Sequence, residues 1–170
     1  NGTSQFLIRR SRLKFGGHAY SPKVKYKIEL GLSNRDISGA LPETNNSDRI
    51  ILDAVLKYNF YKGFSIWGGQ TKLPGNRERV ISSGNLQFVD RSLVNSRFNI
   101  DRDMGVQLRH KHNIGKMIIR EAFSVSQGEG RNITAKNIGG LDYTSRIEIL
   151  PFGAFTSKGD YVGSDTKREA

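Results

Sequence analysis

The sequence predicts an all-β chain: the wall of an antiparallel transmembrane β-barrel, with about seven consecutive strands. Three observations carry that expectation. Segments of about 10 to 13 residues alternate apolar and polar side chains with period two. The connections between them run short, long, short, long, short, long, as in barrels with short periplasmic turns and long extracellular loops. The segments also approach the roughly 9–11 residues that cross a bilayer at a tilt, and exceed the ~5–6 usual in soluble sheets.

The first strand is expected from Gln5 to Gly17, with Leu13, Phe15 and Gly17 on one face and Arg10, Arg12 and Lys14 on the other. After the turn His18–Pro22, Lys23 to Ser33 alternates almost without fault. Val24, Tyr26, Ile28, Leu30 and Leu32 oppose Lys23, Lys25, Lys27, Glu29 and Ser33. A polar, turn-rich stretch follows, then a third strand from Ile50 to Tyr61. Leu52, Ala54, Leu56, Tyr58 and Phe60 share a face there, opposite Asp53, Val55, Lys57 and Asn59. Lys62-Gly63 turns the chain into the fourth strand, Phe64 to Leu73. The fifth, Asp103 to Asn113, turns at Ile114-Gly115 into the sixth, Lys116 to Gln127. In the sixth, Met117, Ile119, Phe123 and Val125 share a face with Glu121, a fault in the pattern. The seventh, Gly140 to Leu150, sets Leu141, Tyr143, Ile147 and Ile149 against Asp142, Thr144, Arg146 and Glu148. Aromatics gather beside the short turns (Tyr20, Tyr58, Phe60, Tyr61, Phe64), as in an interfacial girdle.

Composition narrows the class. Apolar residues make up 36% of the 170 residues, low for a well-filled soluble core. There is no cysteine, so no disulfide framework and no Cys-ligated metal. No run of 18 apolar residues offers a transmembrane helix. The opening Asn1-Gly2-Thr3-Ser4 reads as the end of a loop, so an interior piece of a longer chain is expected. The formal charge of +11 points to an anionic partner. The polar strand faces are rich in bases, and like charges on neighbouring strands repel. A water-filled lumen carrying anions meets that condition.

One long stretch lacks a strand pattern: Pro74 to Arg102, with Arg77, Arg79, Arg91, Arg97 and Arg102 against Glu78, Asp90 and Asp101. Phe88, Val89, Leu93 and Val94 have the spacing of a short helix. A loop this long in a compact domain is either functional or a sign that an element in it is misassigned.

Together these residues resemble a known family. FLIRRSRLKFGG, the KYKIEL strand, WGGQTKLPGNRE with the arginine-bearing loop and RDMGVQL, FSVSQGEGRN and the tail GDYVGSDTKRE are similar to the phosphate-selective porin O and P family of Gram-negative outer membranes, in a form typical of Bacteroidota. The resemblance covers essentially the whole chain. It implies a 16-stranded barrel, trimeric in the family's usual form, of which residues 1–170 are part. It makes 74–102 the constriction loop folded into the lumen and 153–170 a periplasmic turn. Gly68-Gly69 departs from the pattern, where an aromatic is expected before the second glycine, and predicts a loosened fourth strand.

The implied function is passive uptake of phosphate or other small anions across the bacterial outer membrane, among lipid and lipopolysaccharide, with no enzyme activity and no cofactor. Rings of arginine and lysine are the usual device of anion pores, and arginine presents a planar fork suited to phosphate oxygens. Arg77, Arg79, Arg91 and Arg97 are the expected constriction. Arg10, Arg12, Lys14, Lys23, Lys25, Lys27, Lys57, Arg109, Lys111 and Arg120 are the expected basic wall. The alternative for the loop arginines is pairing with Glu78, Asp90 and Asp101, which staples the loop to the wall. A general diffusion porin and a barrel partner in an outer-membrane assembly are the competing functions. A soluble basic β-domain binding nucleic acid is disfavoured, because it needs aromatics on the basic face and here they lie mainly opposite. His110 and His112, two apart on one strand face, could chelate a metal, but no third ligand is evident and no metal is expected. No residues are arranged for Ser–His–Asp catalysis, and Gly128-Glu129-Gly130 is a weak nucleotide signal.

Overall fold

The computed structural model describes residues 6, 8, 10–34, 36–37, 48–86, 88–135 and 138–155. Seven strands form one antiparallel sheet in sequence order: β1 (Arg12–Ala19), β2 (Ser21–Gly31), β3 (Ile51–Tyr61), β4 (Phe64–Lys72), β5 (Arg102–Ile114), β6 (Met117–Ser126) and β7 (Asp142–Leu150). Each strand pairs with its chain neighbours, so the short turns gather at one end of the sheet and the long connections at the other. The predicted all-β barrel wall is borne out. Two short helices, α1 (Arg77–Val80) and α2 (Leu93–Arg97), and a 3-10 turn at Ser83–Asn85 break up the long connection after β4.

The two faces differ as the alternation predicts. Leu13, Phe15, Tyr26, Ile28, Leu56, Tyr58, Ile66, Val106, Leu108, Phe123, Ile147 and Ile149 are all exposed on one continuous apolar face. Buried apolar residues among those described number only five: Leu52, Val55, Leu73, Ile81 and Ile118. A soluble sheet reverses that distribution, because burying apolar surface is what folds it. A barrel wall facing lipid requires it. Tyr58, Phe60, Tyr61 and Phe64 make tilted ring contacts beside the Lys62-Gly63 turn, with centroids 6.1–6.4 Å apart.

Several boundaries differ from expectation. The first strand starts at Arg12; Phe6, Ile8 and Arg10 are not in a strand. The rest of its predicted start lies outside the described residues, as do residues 156–170 of the predicted periplasmic turn. The first turn is tighter than expected, with Tyr20 alone at φ 62 between β1 and β2. Leu52 does not join the apolar face. Glu29 pairs with Asp53 and Leu30 with Ile51, so Leu52 is the extra residue of a bulge and only 2% exposed. The fourth strand is unbroken from Phe64 to Lys72, not loosened. Gly69 holds φ +120 there, and a Cβ would lie 2.2 Å from the Ala54 carbonyl oxygen. Glycine fits that close approach at 69, whereas at Gly68, where the aromatic is expected, a Cβ would meet nothing within 4 Å. In the loop, the helix lies at Leu93–Arg97, and Phe88 to Asp90 are bends outside it.

Candidate functional site

The polar faces of the strands meet on the side opposite the apolar one. Lys27, Asp53, Lys57, Trp67, Arg109 and Arg120 lie on this inner face, because each is two residues from the next inward position and cross-strand partners share a face. Pro74, Val80, Ser82 and Ser83 of the long connection lie over it. Between wall and loop is a cleft of about 420 Å³, lined by ten lysines and arginines and by four carboxylates. The excess of six bases makes the cleft electropositive.

Carboxylates organise the inner face. Asp53, 1% exposed, receives Lys27 Nζ at 2.6 Å and Arg102 Nε at 3.0 Å. Glu29, 3% exposed, receives Lys27 at 2.7 Å and Arg12 at 3.3 Å. Glu148 binds Arg146 and lies 3.6 Å from Arg120. Buried charges persist when paired in this way. A second arrangement uses an aromatic. Lys57 Nζ lies 3.7 Å from the Trp67 ring centroid and the Arg109 guanidinium 4.0 Å from it. Arg109 also donates twice to Gln107 Oε1, at 3.1 and 2.8 Å. The indole thus holds two cations beside the cleft through cation–π attraction, without neutralising them.

The structure divides the predicted wall into groups. Arg12, Lys27 and Arg120 have carboxylate partners, and Arg12 also donates to Ser83 Oγ of the loop at 3.3 Å. Arg10 reaches the loop at the Val89 carbonyl, 3.2 Å away, and lies 3.7 Å from Asp90. Lys14 is 54% exposed and 3.9 Å from Glu29. Lys57 and Arg109 flank Trp67. Lys111 lines the cleft, and Lys23 and Lys25 are exposed on β2 towards the short-turn end.

The loop arginines also divide. Arg79 binds Asp101, its Nε 2.8 Å from Oδ1. Arg91 donates to the carbonyls of Glu78 at 3.0 Å and Ile81 at 2.8 Å. Arg77 begins α1 and Arg97 ends α2, both exposed. Asn76 caps α1 by accepting from Arg79 N at 2.8 Å, and Ser92 caps α2 by accepting from Asn95 N at 3.1 Å. Glu78 accepts from Ser92 Oγ and Ser92 N, and these bonds hold its carboxyl below the usual carboxylate range. Burial works against ionisation of Asp101, and the Arg79 hydrogen bond and charge overcome it, so its pKa is lowered. Burial and the like charges of Arg79 and Arg10 lower Arg91.

Sequence reasoning missed the organising carboxylates as a set, and missed Trp67, Lys72 and Arg102 as cleft residues. Glu29, Asp53 and Glu148 were readable as members of the polar face. Lys72, which donates to the carbonyls of Arg79 at 2.9 Å and Ile81 at 3.2 Å, gave no local signal. The structure also supplies what His110 and His112 lacked in sequence. Glu121 is paired opposite His110, with its Oε2 2.9 Å from Nδ1.

An antiparallel meander with an apolar exposed face, a charged inner face and a long connection over that inner face defines the wall of a water-filled β-barrel of the porin class. The chain belongs to the phosphate-selective porin O and P family, whose sequence model matches residues 1–154 of the 170. Neither the curated proteins nor the solved structures contain a match. Porins of this family sit in the outer membrane, and the family implies a channel, not an enzyme.

Proposed function

We propose that the barrel is an anion-preferring channel for passive uptake of phosphate or other small anions, with the 74–102 loop as its constriction. The observation that carries this reading is the cleft between loop and wall, where ten bases meet four carboxylates. The carboxylates hold part of the cleft's bases in place, and the excess of bases supplies the field that favours anions. On this reading Arg77 and Arg97 face the passing ion, while Arg79 and Arg91 hold the loop. The barrel works as a trimer among outer-membrane lipid and lipopolysaccharide.

The test is chloride conductance of the purified full-length protein in a planar bilayer with phosphate added. Phosphate is expected to reduce the chloride current in a saturable way. Chloride current that does not respond to phosphate contradicts phosphate preference and leaves a general diffusion porin. No conductance at all removes the channel reading.

A further inference from the structure

The apolar outer face is interrupted where His110 and His112 of β5 stand beside Glu121 of β6. We propose that these three residues form a binding site for a divalent transition metal, with zinc the best-fitting ion, at the membrane boundary near the short-turn end of the barrel. By strand alternation His110 and Glu121 share a face with Leu108 and Phe123, and they also border the cleft at its edge; the inference rests on the donor set and not on the pore reading.

Geometry brings the donors together. His110 and His112 are two apart on one strand, so both rings leave the same face. Glu121 is the cross-strand partner of His110. One ligand atom from each residue lies within 4.8 Å of the others, and His110 Nδ1 to Glu121 Oε2 is 2.9 Å. Zinc bonds of 2.0–2.2 Å place tetrahedral ligands about 3.3 Å apart. The first pair is already within that span, and a turn of the His112 ring about its broad χ2 well brings in the third donor.

Chemistry and surroundings fit the same ion. Two imidazoles and one carboxylate are a standard zinc donor set, which leaves a fourth position for water. His112 Nδ1 is buried and has no hydrogen-bond partner, an orphaned acceptor or donor of the kind that asks for an explanation. Phe64 stacks on His110 with centroids 3.8 Å apart, and His110 on His112 at 4.9 Å, so the His110 ring is held between its two neighbours. A carboxylate on a lipid-facing strand is costly away from the interface. Glu121, with a side chain 46% exposed, is opposite His110, which pairs with the girdle residue Phe64 beside the Lys62-Gly63 turn. A bound dication would join β5 to β6 and neutralise that carboxylate.

The experiment uses metal-stripped full-length protein in detergent micelles, titrated with Zn²⁺ by calorimetry. One equivalent per protomer is expected at micromolar or tighter affinity, together with a raised unfolding temperature. His110→Gln, His112→Gln and Glu121→Gln should each weaken binding at least ~10-fold, while Glu129→Gln, in the loop after β6, should leave it unchanged. Absence of saturation by about 1 mM Zn²⁺, or undiminished affinity in the triple variant, overturns the proposal. Should a variant not fold, Co²⁺ added to the wild-type protein decides. Intense visible bands displaced by Zn²⁺ support the site, and a spectrum identical to aqueous Co²⁺ overturns it.

Discussion

Asp53 is the residue on which the inner face converges. It is 1% exposed and holds both Lys27 and Arg102, itself 6% exposed. Removing one member of a buried pair leaves an uncompensated charge, so Asp53→Asn should destabilise the barrel by about 3–5 kcal/mol. Adding Arg102→Met should recover part of that loss, read by denaturant unfolding of the protein in lipid or detergent. Gly69 is a second critical position. An alanine there meets φ +120 and a carbonyl oxygen at 2.2 Å, and Gly69→Ala should cost more than about 1 kcal/mol in the same assay. Trp67 has a functional prediction. Trp67→Ala removes the ring between Lys57 and Arg109, so those cations lose their fixed places, and anion preference should fall while the barrel still forms. Unchanged selectivity in that variant would separate the indole from ion passage.

At the scale of elements, the long connection after β4 is tied down by contacts to its own far end and to several strands. Arg79 binds Asp101, Lys72 holds two loop carbonyls, Arg12 reaches Ser83, and Arg146 donates to the Gly75 carbonyl. Asp101 ionises at a lower pH than an unfolded aspartate, whose pKa is about 3.9. Its contribution is therefore fully present above that value and is lost as pH falls through the lower folded pKa. Protease sensitivity of the loop should stay constant from neutral pH down to about 4 and rise below it. Asp101→Asn should reduce that acid-dependent step, leaving the part that Glu78 contributes through Ser92, and Arg79→Gln should raise cleavage at neutral pH. Asp36 acts alike beyond β2: burial disfavours its charge, but two bonds from Arg12, at 2.8 and 2.6 Å, lower its pKa overall.

The strands and their faces were legible because period-two alternation is local and a barrel wall uses both faces throughout. Lys23 to Ser33 is the clearest case. The Leu52 bulge was not legible, since only the pairing of Glu29 with Asp53 reveals the extra residue. The departure visible in sequence was at Gly68, while the need for a glycine at 69 lies in the Ala54 carbonyl on the neighbouring strand and was not legible. For the site, the basic residues were visible and their grouping was not. Arg12 to Ser83 and Arg102 to Asp53 span 71 and 49 residues, and no local spacing encodes them. Glu121 was read as a fault in an apolar face, because its partner His110 lies across a turn.

For the whole molecule, the apolar outer face and electropositive inner cleft separate lipid from an aqueous path. On the proposed reading, charge selection follows from the sign of that inner field and weakens with salt, since the Debye length shortens from about 10 Å at 0.1 M to about 3 Å at 1 M. Anion preference should therefore be strongest in dilute electrolyte. The loop's exposed arginines extend the same field: Arg97→Gln should reduce anion preference without raising loop cleavage, unlike Arg79→Gln. The most direct measurement is the zero-current potential of the full-length protein in a planar bilayer under a KCl gradient. The account predicts a potential of the sign set by chloride, shifting toward zero as salt rises. A potential of the sign set by potassium would contradict it.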